Sequence, residues 1–114
     1  MKKIAILTCM DVSMRCTGSG CLRACHEKSK GFSRYGEEEI VLISYLHCNG
    51  CGADPEQDEG LLKKLNRLQT KGIDVVHTSS CTVRDRSSGI RCAKIDKIAD
   101  MLQERGIQVV HGTH

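Results

Sequence analysis

Four of the eight cysteines in this 114-residue chain follow closely on apolar runs that predict β-strands: Cys9, Cys48, Cys51 and Cys81. Thiolates bind soft metal ions and act as nucleophiles in disulfide chemistry. In an open parallel α/β sheet, the carboxyl ends of the strands lie on one edge, where ligands bind. Thiols that are far apart in the sequence should therefore meet there, and the pattern predicts a metal or redox site at this edge.

The sharpest local motif runs from Cys48 to Cys51 and reads Cys-Asn-Gly-Cys. Two thiols at this spacing can chelate one metal ion or close a small disulfide. Gly50 and Gly52 allow the backbone to turn tightly around the sulfurs. A helix predicted to begin near Asp54 adds the positive end of its dipole, which favours thiolate.

Other thiols and one imidazole complete the set of candidate ligands. The loop after the first predicted strand contains two cysteines, the last helix begins at a cysteine, and a histidine follows the last strand. Together the candidates are Cys9, Cys16, Cys21, Cys48, Cys51, Cys81, Cys92 and His114. Of these, Cys48, Cys51 and Cys81 are the most secure, and the other thiols compete for the remaining positions.

The other cysteine and histidines have simpler interpretations. Cys25 lies one helical turn beyond Cys21 and is the best candidate for a core cysteine, because free cysteine is often buried. His77 and His111 occupy matching positions in a repeat and are expected to be structural. His26 is expected to be a solvated helix residue. His47, which directly precedes Cys48, is the other histidine that is plausible as a ligand.

A phosphatase-type site is the rival interpretation of the first loop. Cys9 and Arg15 have the Cys-x5-Arg spacing of a loop in which a thiolate attacks a bound phosphate. This loop contains Asp11, whose carboxylate would repel a phosphate, and it contains no glycine. The Asp-Pro acid found near the chain end of low-molecular-weight phosphatases is also missing, so the site is not expected to be a phosphatase.

Composition limits the class of protein. The net charge is a mild +3 with basic and acidic residues interspersed, which does not favour a nucleic-acid partner. No run approaches the length of a membrane span. We expect a cytoplasmic protein, because the apolar run that ends at Leu7 is not followed by a small-residue cleavage site. Structural disulfides are rare in the cytosol, so the cysteines are expected to be ligands or redox groups.

Periodicity predicts a single α/β domain spanning residues 1–114. Residues 68–77 and 102–111 are near-repeats, 34 residues apart, and each reads as a helix end, a glycine and a buried strand. The predicted strands are about Lys3–Thr8, Glu39–Leu46, Asp74–Thr78 and Gln108–His111. We expect an open parallel sheet of about four strands in the order 2-1-3-4, with helices on both faces, as in a flavodoxin or Rossmann-like three-layer sandwich.

Three helices are predicted between the strands. The first spans about Gly20 to Lys30. The second has Asp54 as its N-cap and Pro55 as its first residue, and it ends at Gly72. The third contains Ile95 and Leu102 and ends at Gly106.

The chain resembles the CGGC-domain family, small proteins rich in cysteine and histidine with an inferred metal-binding role. The likeness runs nearly end to end, and the residues that carry it are Cys9, Cys16, Gly18, Cys21, Gly31, Phe32, Tyr35, Cys48, Cys51, Ser80, Cys81, Cys92 and the closing Gly112-Thr113-His114. Asn49 replaces the first glycine of the motif after which the family is named. Both sulfurs remain, so the resemblance implies a metal site without establishing a reaction.

The sequence is consistent with two main functions and with one variant of the first. The first is a metal-binding protein in which four thiolates, or three and His114, hold zinc. An iron–sulfur cluster stays open, because eight thiols exceed the needs of one zinc ion. The alternative is a thiol–disulfide redox enzyme that uses Cys48 and Cys51 on a small-molecule substrate. A metal sensor or carrier read by a partner protein would have the same sequence features as the first.

Overall fold

The computed structural model describes residues 1–85 and 87–114, and these contain six strands and four α-helices. The strands are β1 (Lys2–Thr8), β2 (Ile40–His47), β3 (Val75–Thr78), β4 (Val83–Asp85), β5 (Ile90–Arg91) and β6 (Gln108–His111). The helices are α1 (Met10–Ser13), α2 (Ser19–Glu27), α3 (Glu59–Thr70) and α4 (Ala93–Glu104). Short 3-10 segments, called 3-10 turns below, occupy Lys30–Tyr35 and Ser80–Thr82.

The main sheet has four parallel strands in the order β2-β1-β3-β6, which confirms the predicted order 2-1-3-4. Its register aligns the strand ends. Thr8 pairs with His47 on one side of the sheet, and Thr78 pairs with His111 on the other. The loops that follow all four strands therefore begin at one edge, which we call the carboxyl edge.

Apolar side chains cover both faces of the sheet, as continuous apolar strands require. On one face, α3 and α4 pack against Ala5, Leu7 and Val76. On the other face, α2 and the 3-10 turn that contains Phe32 pack against Ile4, Ile6 and Val75. Alternate residues of β1 thus enter opposite halves of the core, and the predicted three-layer architecture is confirmed.

The predicted helix ends are correct in part. The helix expected to start after Asp54 begins at Glu59, and its N-cap is Asp58, whose carboxylate accepts a hydrogen bond from Leu61 N–H at 3.2 Å. Asp54 Oδ1 instead accepts from Glu56 N–H at 3.1 Å and stabilises a turn. The prediction failed because two aspartates compete as caps over five residues.

Two short elements were not predicted. The helix α1 follows β1 immediately, and the hairpin of β4 and β5 lies between β3 and α4. The predicted first helix is also shorter than expected, because Lys28 adopts a left-handed conformation and ends α2. In the described part of the chain, no helix has the length and apolarity needed to span a membrane.

A buried polar chain connects the 3-10 turn to β3 and to the segment after β6. Tyr35 O–H lies 2.6 Å from His77 Nε2, and His77 Nδ1 lies 2.9 Å from the Gly112 carbonyl. A carbonyl can only accept, so His77 Nδ1–H donates to Gly112 and Tyr35 donates to Nε2. Phe32 stacks on the imidazole with ring centroids 4.1 Å apart. His77 is therefore structural, as predicted.

Removing the Tyr35 hydroxyl should destabilise the fold. In Tyr35→Phe, the buried Nε2 of His77 loses its donor, and the free energy of unfolding should fall by about 1–3 kcal/mol. Urea denaturation measures the change. Tyr45→Phe is the control, because Tyr45 is 37 % exposed and should lose less than about 1 kcal/mol. Equal losses in the two variants would contradict the assignment.

Acid should also destabilise the protein through His77. Burial lowers the pKa of His77, although its bond to Gly112 opposes the shift. The unfolded chain then binds a proton more readily than the folded one, so stability is complete above about pH 6.5 and is lost as the pH falls below it. The urea denaturation midpoint is measured at about pH 7.5 and at about pH 5.5. The difference between the two midpoints should be smaller in His77→Gln than in the exposed control His26→Gln.

Candidate functional site

Two consecutive backbone amides at the end of β1 bind sulfurs from two other strands. Cys9 N–H donates to Cys81 Sγ at 3.4 Å, and Met10 N–H donates to Cys48 Sγ at 3.3 Å. Cys81 follows β3 and Cys48 follows β2, the two strands that flank β1. The expectation that thiols distant in sequence meet at the carboxyl edge is thus confirmed for these residues.

A cavity of about 210 Å³ opens beside this contact, and we call it the thiol cavity. Three thiols and one imidazole border it: Cys16, Cys21, Cys81 and His114. Tyr45 and Ser79 contribute further to its wall. These donors come from the loop after α1, the start of α2, the loop after β3 and the segment after β6, which are all at the carboxyl edge.

The three thiols of the cavity differ in their surroundings. Cys21 is buried, and its sulfur lies 3.2 Å from Thr113 Oγ1. Burial raises the pKa of the Cys21 thiol, and the contact with Thr113 opposes this shift. Cys81 Sγ lies 2.6 Å from the Ser79 hydroxyl. Cys16 is exposed, and its sulfur accepts a hydrogen bond from Gly18 N–H at 3.3 Å.

The segment that carries His114 is held against two glycines. Ser80 Oγ–H donates to the His114 carbonyl at 2.5 Å. A Cβ on Gly20 would lie 3.1 Å from His114 Nε2, so the absence of a side chain there leaves room for the imidazole. A Cβ on Gly31 would lie 2.5 Å from the Gly112 carbonyl oxygen, which is too close for any real contact. Gly31 therefore lets this segment approach the 3-10 turn.

A second group of thiols surrounds Arg84, and we call it the arginine cluster. Arg84 Nη2 lies 3.5 Å from Cys9 Sγ and 3.9 Å from Cys51 Sγ. Burial alone would raise the pKa of Cys92, the N-cap of α4, but the backbone amides at the start of that helix and the charge of Arg84 hold this pKa below its ordinary value. Sequence patterns gave no prediction for Arg84. Its strand has one apolar residue, Val83, followed by two charged residues, and three residues without alternation are too few to separate a strand from a loop.

The two cysteines of the Cys48–Cys51 motif have different environments. Cys48 is buried, whereas Cys51 is exposed and its thiol donates to Asp11 Oδ2 at 3.4 Å. The hydrogen bond and the charge of Asp11 raise the pKa of Cys51. Asn49 Oδ1 accepts from Lys64 Nζ of α3 at 2.6 Å, so Asn49 fixes one side of the loop.

The remaining cysteine and histidines have structural or surface positions. Cys25 is buried in the core beneath α2, as predicted, and burial raises its pKa. His26 is exposed, also as predicted. His111 Nδ1 lies 2.8 Å from Thr78 Oγ1, and His47 Nδ1 lies 2.5 Å from Thr8 Oγ1. These two imidazoles hydrogen-bond to threonines of neighbouring strands.

The candidate ligands are grouped but are not in coordination geometry. Over residues 1–85 and 87–114, no three side chains of Cys, His, Asp or Glu are close enough together to hold one metal ion. The structure brings Cys16, Cys21, Cys81 and His114 to the thiol cavity. It brings Cys9 and Cys51 to Arg84. Cys48 lies beside Met10 and belongs to the core cluster against which Cys92 packs.

Comparisons with known proteins agree with the end-to-end pattern. The CGGC domain family matches residues 3–114. The chain is 30 % identical over 118 residues to a protein of Methanocaldococcus jannaschii named "Uncharacterized protein MJ0582", covering 98 % of this chain and 86 % of that protein. No solved structure gives a significant match.

The close approach at Gly31 gives a test of how His114 is positioned. Gly31→Ala should displace Gly112 and lower the free energy of unfolding by about 1–3 kcal/mol, since the added methyl meets backbone atoms. Gly52→Ala is the matched control, because a Cβ there meets nothing within 4 Å. Urea denaturation should separate the two variants. A loss that is no larger in Gly31→Ala than in Gly52→Ala would contradict the packing described.

Proposed function

The chain belongs to the CGGC-domain family, and on this basis we propose that it binds a thiophilic metal ion, zinc foremost, in the thiol cavity. The ligands proposed are Cys16, Cys21, Cys81 and His114. The observation that carries the proposal is that three thiols and one imidazole border a single cavity, and that no lysine or arginine is among its described lining residues.

The chemistry of these donors suits zinc. Structural zinc sites are tetrahedral and use four cysteine or histidine ligands, including the combination of three cysteines and one histidine. Thiolate and imidazole donors disfavour calcium and magnesium, which prefer oxygen. A cluster of iron and sulfur usually requires four thiolates, and three border this cavity. Zinc is therefore favoured over an iron–sulfur cluster.

Metal binding would require the site to close. Zinc–sulfur bonds are about 2.3 Å long, so the four donors would have to move together. Cys16 is the donor best able to move, because it is exposed on the loop between α1 and α2. Cys21 is a buried helix residue, and Cys81 lies in the 3-10 turn after β3. Such coupling of metal binding to local ordering is common in small metal sites.

This ligand set differs from the one that the sequence favoured, which had Cys48 and Cys51 at its centre. The reason for choosing other ligands is the positive charge of Arg84 near that motif. Arg84 lies 3.9 Å from Cys51 Sγ and 3.5 Å from Cys9 Sγ, and a guanidinium at this distance repels a metal cation. A redox pair of Cys48 and Cys51 has less support, since Cys48 is buried and bonded to Met10 N–H.

Two cysteines of α2 provide the sharpest test of the metal site. Cys21→Ala should reduce zinc binding at least about tenfold, because it removes one of four ligands. Cys25→Ala should bind zinc as the wild type does, because Cys25 faces the core one turn further along the helix. Zinc competition titration with a chromophoric chelator, on protein purified without oxygen, measures both affinities.

The same titration extends to the other ligands. His114→Ala should weaken zinc binding, and the exposed control His26→Ala should not. Equal zinc affinity in Cys21→Ala and Cys25→Ala would refute the cavity as the site. A brown protein with absorption near about 400 nm and bound iron would instead assign an iron–sulfur cluster.

A further inference from the structure

Thr113 is a fully buried threonine that connects three elements around the thiol cavity. It lies between Gly112 and His114 in the segment after β6. Its carbonyl accepts a hydrogen bond at 3.0 Å from the amide of Gly31, in the 3-10 turn that contains Phe32. Because this bond fixes the backbone of Thr113 and the residue is buried, its side chain has a defined position.

The hydroxyl of Thr113 lies between a backbone amide and a sulfur. Ser80 N–H donates to Thr113 Oγ1 at 3.4 Å, and Cys21 Sγ lies 3.2 Å from the same oxygen. Ser80 directly precedes Cys81 in the 3-10 turn after β3. This one hydroxyl therefore connects a proposed ligand on α2 to the turn that carries a second proposed ligand.

The direction of the bond to Cys21 follows from the donors that are present. The Ser80 amide can only donate, so the Thr113 oxygen accepts this bond. Over residues 1–85 and 87–114, the one other hydrogen bond of the hydroxyl is to Cys21. If the thiol donated as well, the hydroxyl hydrogen would be buried without an acceptor, which is unfavourable. The Thr113 O–H therefore donates to the Cys21 sulfur.

A bond in this direction favours the form of Cys21 that binds a metal. Zinc binds thiolate sulfur, which has no hydrogen and can accept a hydrogen bond but cannot donate one. Hydrogen bonds to a charged acceptor are about twice as strong as those between neutral groups. The Thr113 hydroxyl therefore stabilises a thiolate at Cys21 more than a thiol, and it offsets part of the cost of burying that charge.

Ser80 extends the same network to the proposed imidazole ligand. Its hydroxyl donates to the His114 carbonyl at 2.5 Å, while its amide donates to Thr113. Together with Cys21 and the neighbouring Cys81, three of the four proposed ligands are attached to this network. Thr113 is the member of the network that contacts a ligand sulfur directly.

We propose that Thr113 is a positioning residue of the proposed zinc site, and that its hydroxyl donates to the Cys21 sulfur when this sulfur is a ligand. This role rests on the proposed function, because Cys21 is a ligand of that site. Groups that hydrogen-bond to metal ligands orient them, and their loss typically lowers metal affinity by about tenfold to a hundredfold. Thr113 thus tunes the affinity of the site through Cys21.

Two replacements of Thr113 separate the effect of its hydroxyl from that of its packing. Thr113→Val keeps the shape of the side chain and removes the hydroxyl, so it should bind zinc at least about tenfold more weakly than the wild type. Thr113→Ser keeps the hydroxyl and should bind zinc nearly as the wild type does. Competition titration with a chromophoric chelator measures both affinities. A Thr113→Ser protein that binds zinc as weakly as Thr113→Val would overturn the role of the hydroxyl.

Thr78→Val is the matched control for the loss of a buried hydroxyl. Thr78 is 1 % exposed, and its hydroxyl bonds to His111, which is not a proposed ligand. This variant should unfold at a lower urea concentration than the wild type but keep the wild-type zinc affinity. Equal losses of zinc affinity in Thr78→Val and Thr113→Val would reflect general instability and would overturn the assignment.

Cobalt(II) gives a spectroscopic readout that a purely structural role would not change. A hydrogen bond lowers the energy of the sulfur lone pairs, so the ultraviolet sulfur-to-cobalt charge-transfer band should move to longer wavelength in Thr113→Val. The band should keep its wild-type position in Thr113→Ser and in Thr78→Val. An unmoved band in folded Thr113→Val would overturn the bond to Cys21. If Thr113→Val does not fold, Thr113→Ala provides the same comparison.

The wild-type protein separates this proposal from the proposed function. A wild type that binds no zinc would refute the metal site and, with it, the role of Thr113. Zinc binding that is weakened in Cys21→Ala but unchanged in Thr113→Val would support the metal site and overturn only the role of Thr113.

Discussion

The register of β1 with its two neighbours is the constraint on which the carboxyl edge depends. Because Thr8 pairs with His47 and Leu7 pairs with Thr78, the loops after three strands begin side by side. The amides of Cys9 and Met10 then lie close enough to bind sulfurs from both flanking loops. A parallel sheet has no hairpin to bring such residues together, so the shared strand end is what assembles the thiols.

Electrostatics divides this edge into two regions. The described lining of the thiol cavity has no lysine or arginine, while the Arg84 guanidinium lies close to the sulfurs of Cys9 and Cys51. A cation and a thiolate nucleophile need opposite surroundings, because a neighbouring positive charge repels the first and stabilises the second. Charge, rather than the number of sulfurs, therefore distinguishes the thiol cavity from the neighbourhood of Arg84.

Sequence periodicity was sufficient for the sheet and for the convergence of the thiols. The near-repeat and the apolar runs predicted all four parallel strands and their order, because buried strands and helix ends have strong local signals. The start of α3 was wrong, since choosing Asp58 over Asp54 depends on turn geometry that both aspartates could adopt. The hairpin of β4 and β5 was missed because its strands have only three and two residues, too few to show a periodic pattern. Without that hairpin, the position of Arg84 and the division of the thiols could not be foreseen.

The side chain of Asn49 couples the mobility of the Cys51 loop to the stability of one helix end. Asn49 accepts from Lys64 in the second turn of α3, and its side chain lowers the pKa of Asp58, the N-cap of the same helix. Helix ends fray more readily than whole domains unfold. Local opening at the beginning of α3 would therefore release the loop while the sheet remained intact. The Cys51 loop can therefore open through a fluctuation that is confined to the first turns of α3 and is smaller than global unfolding.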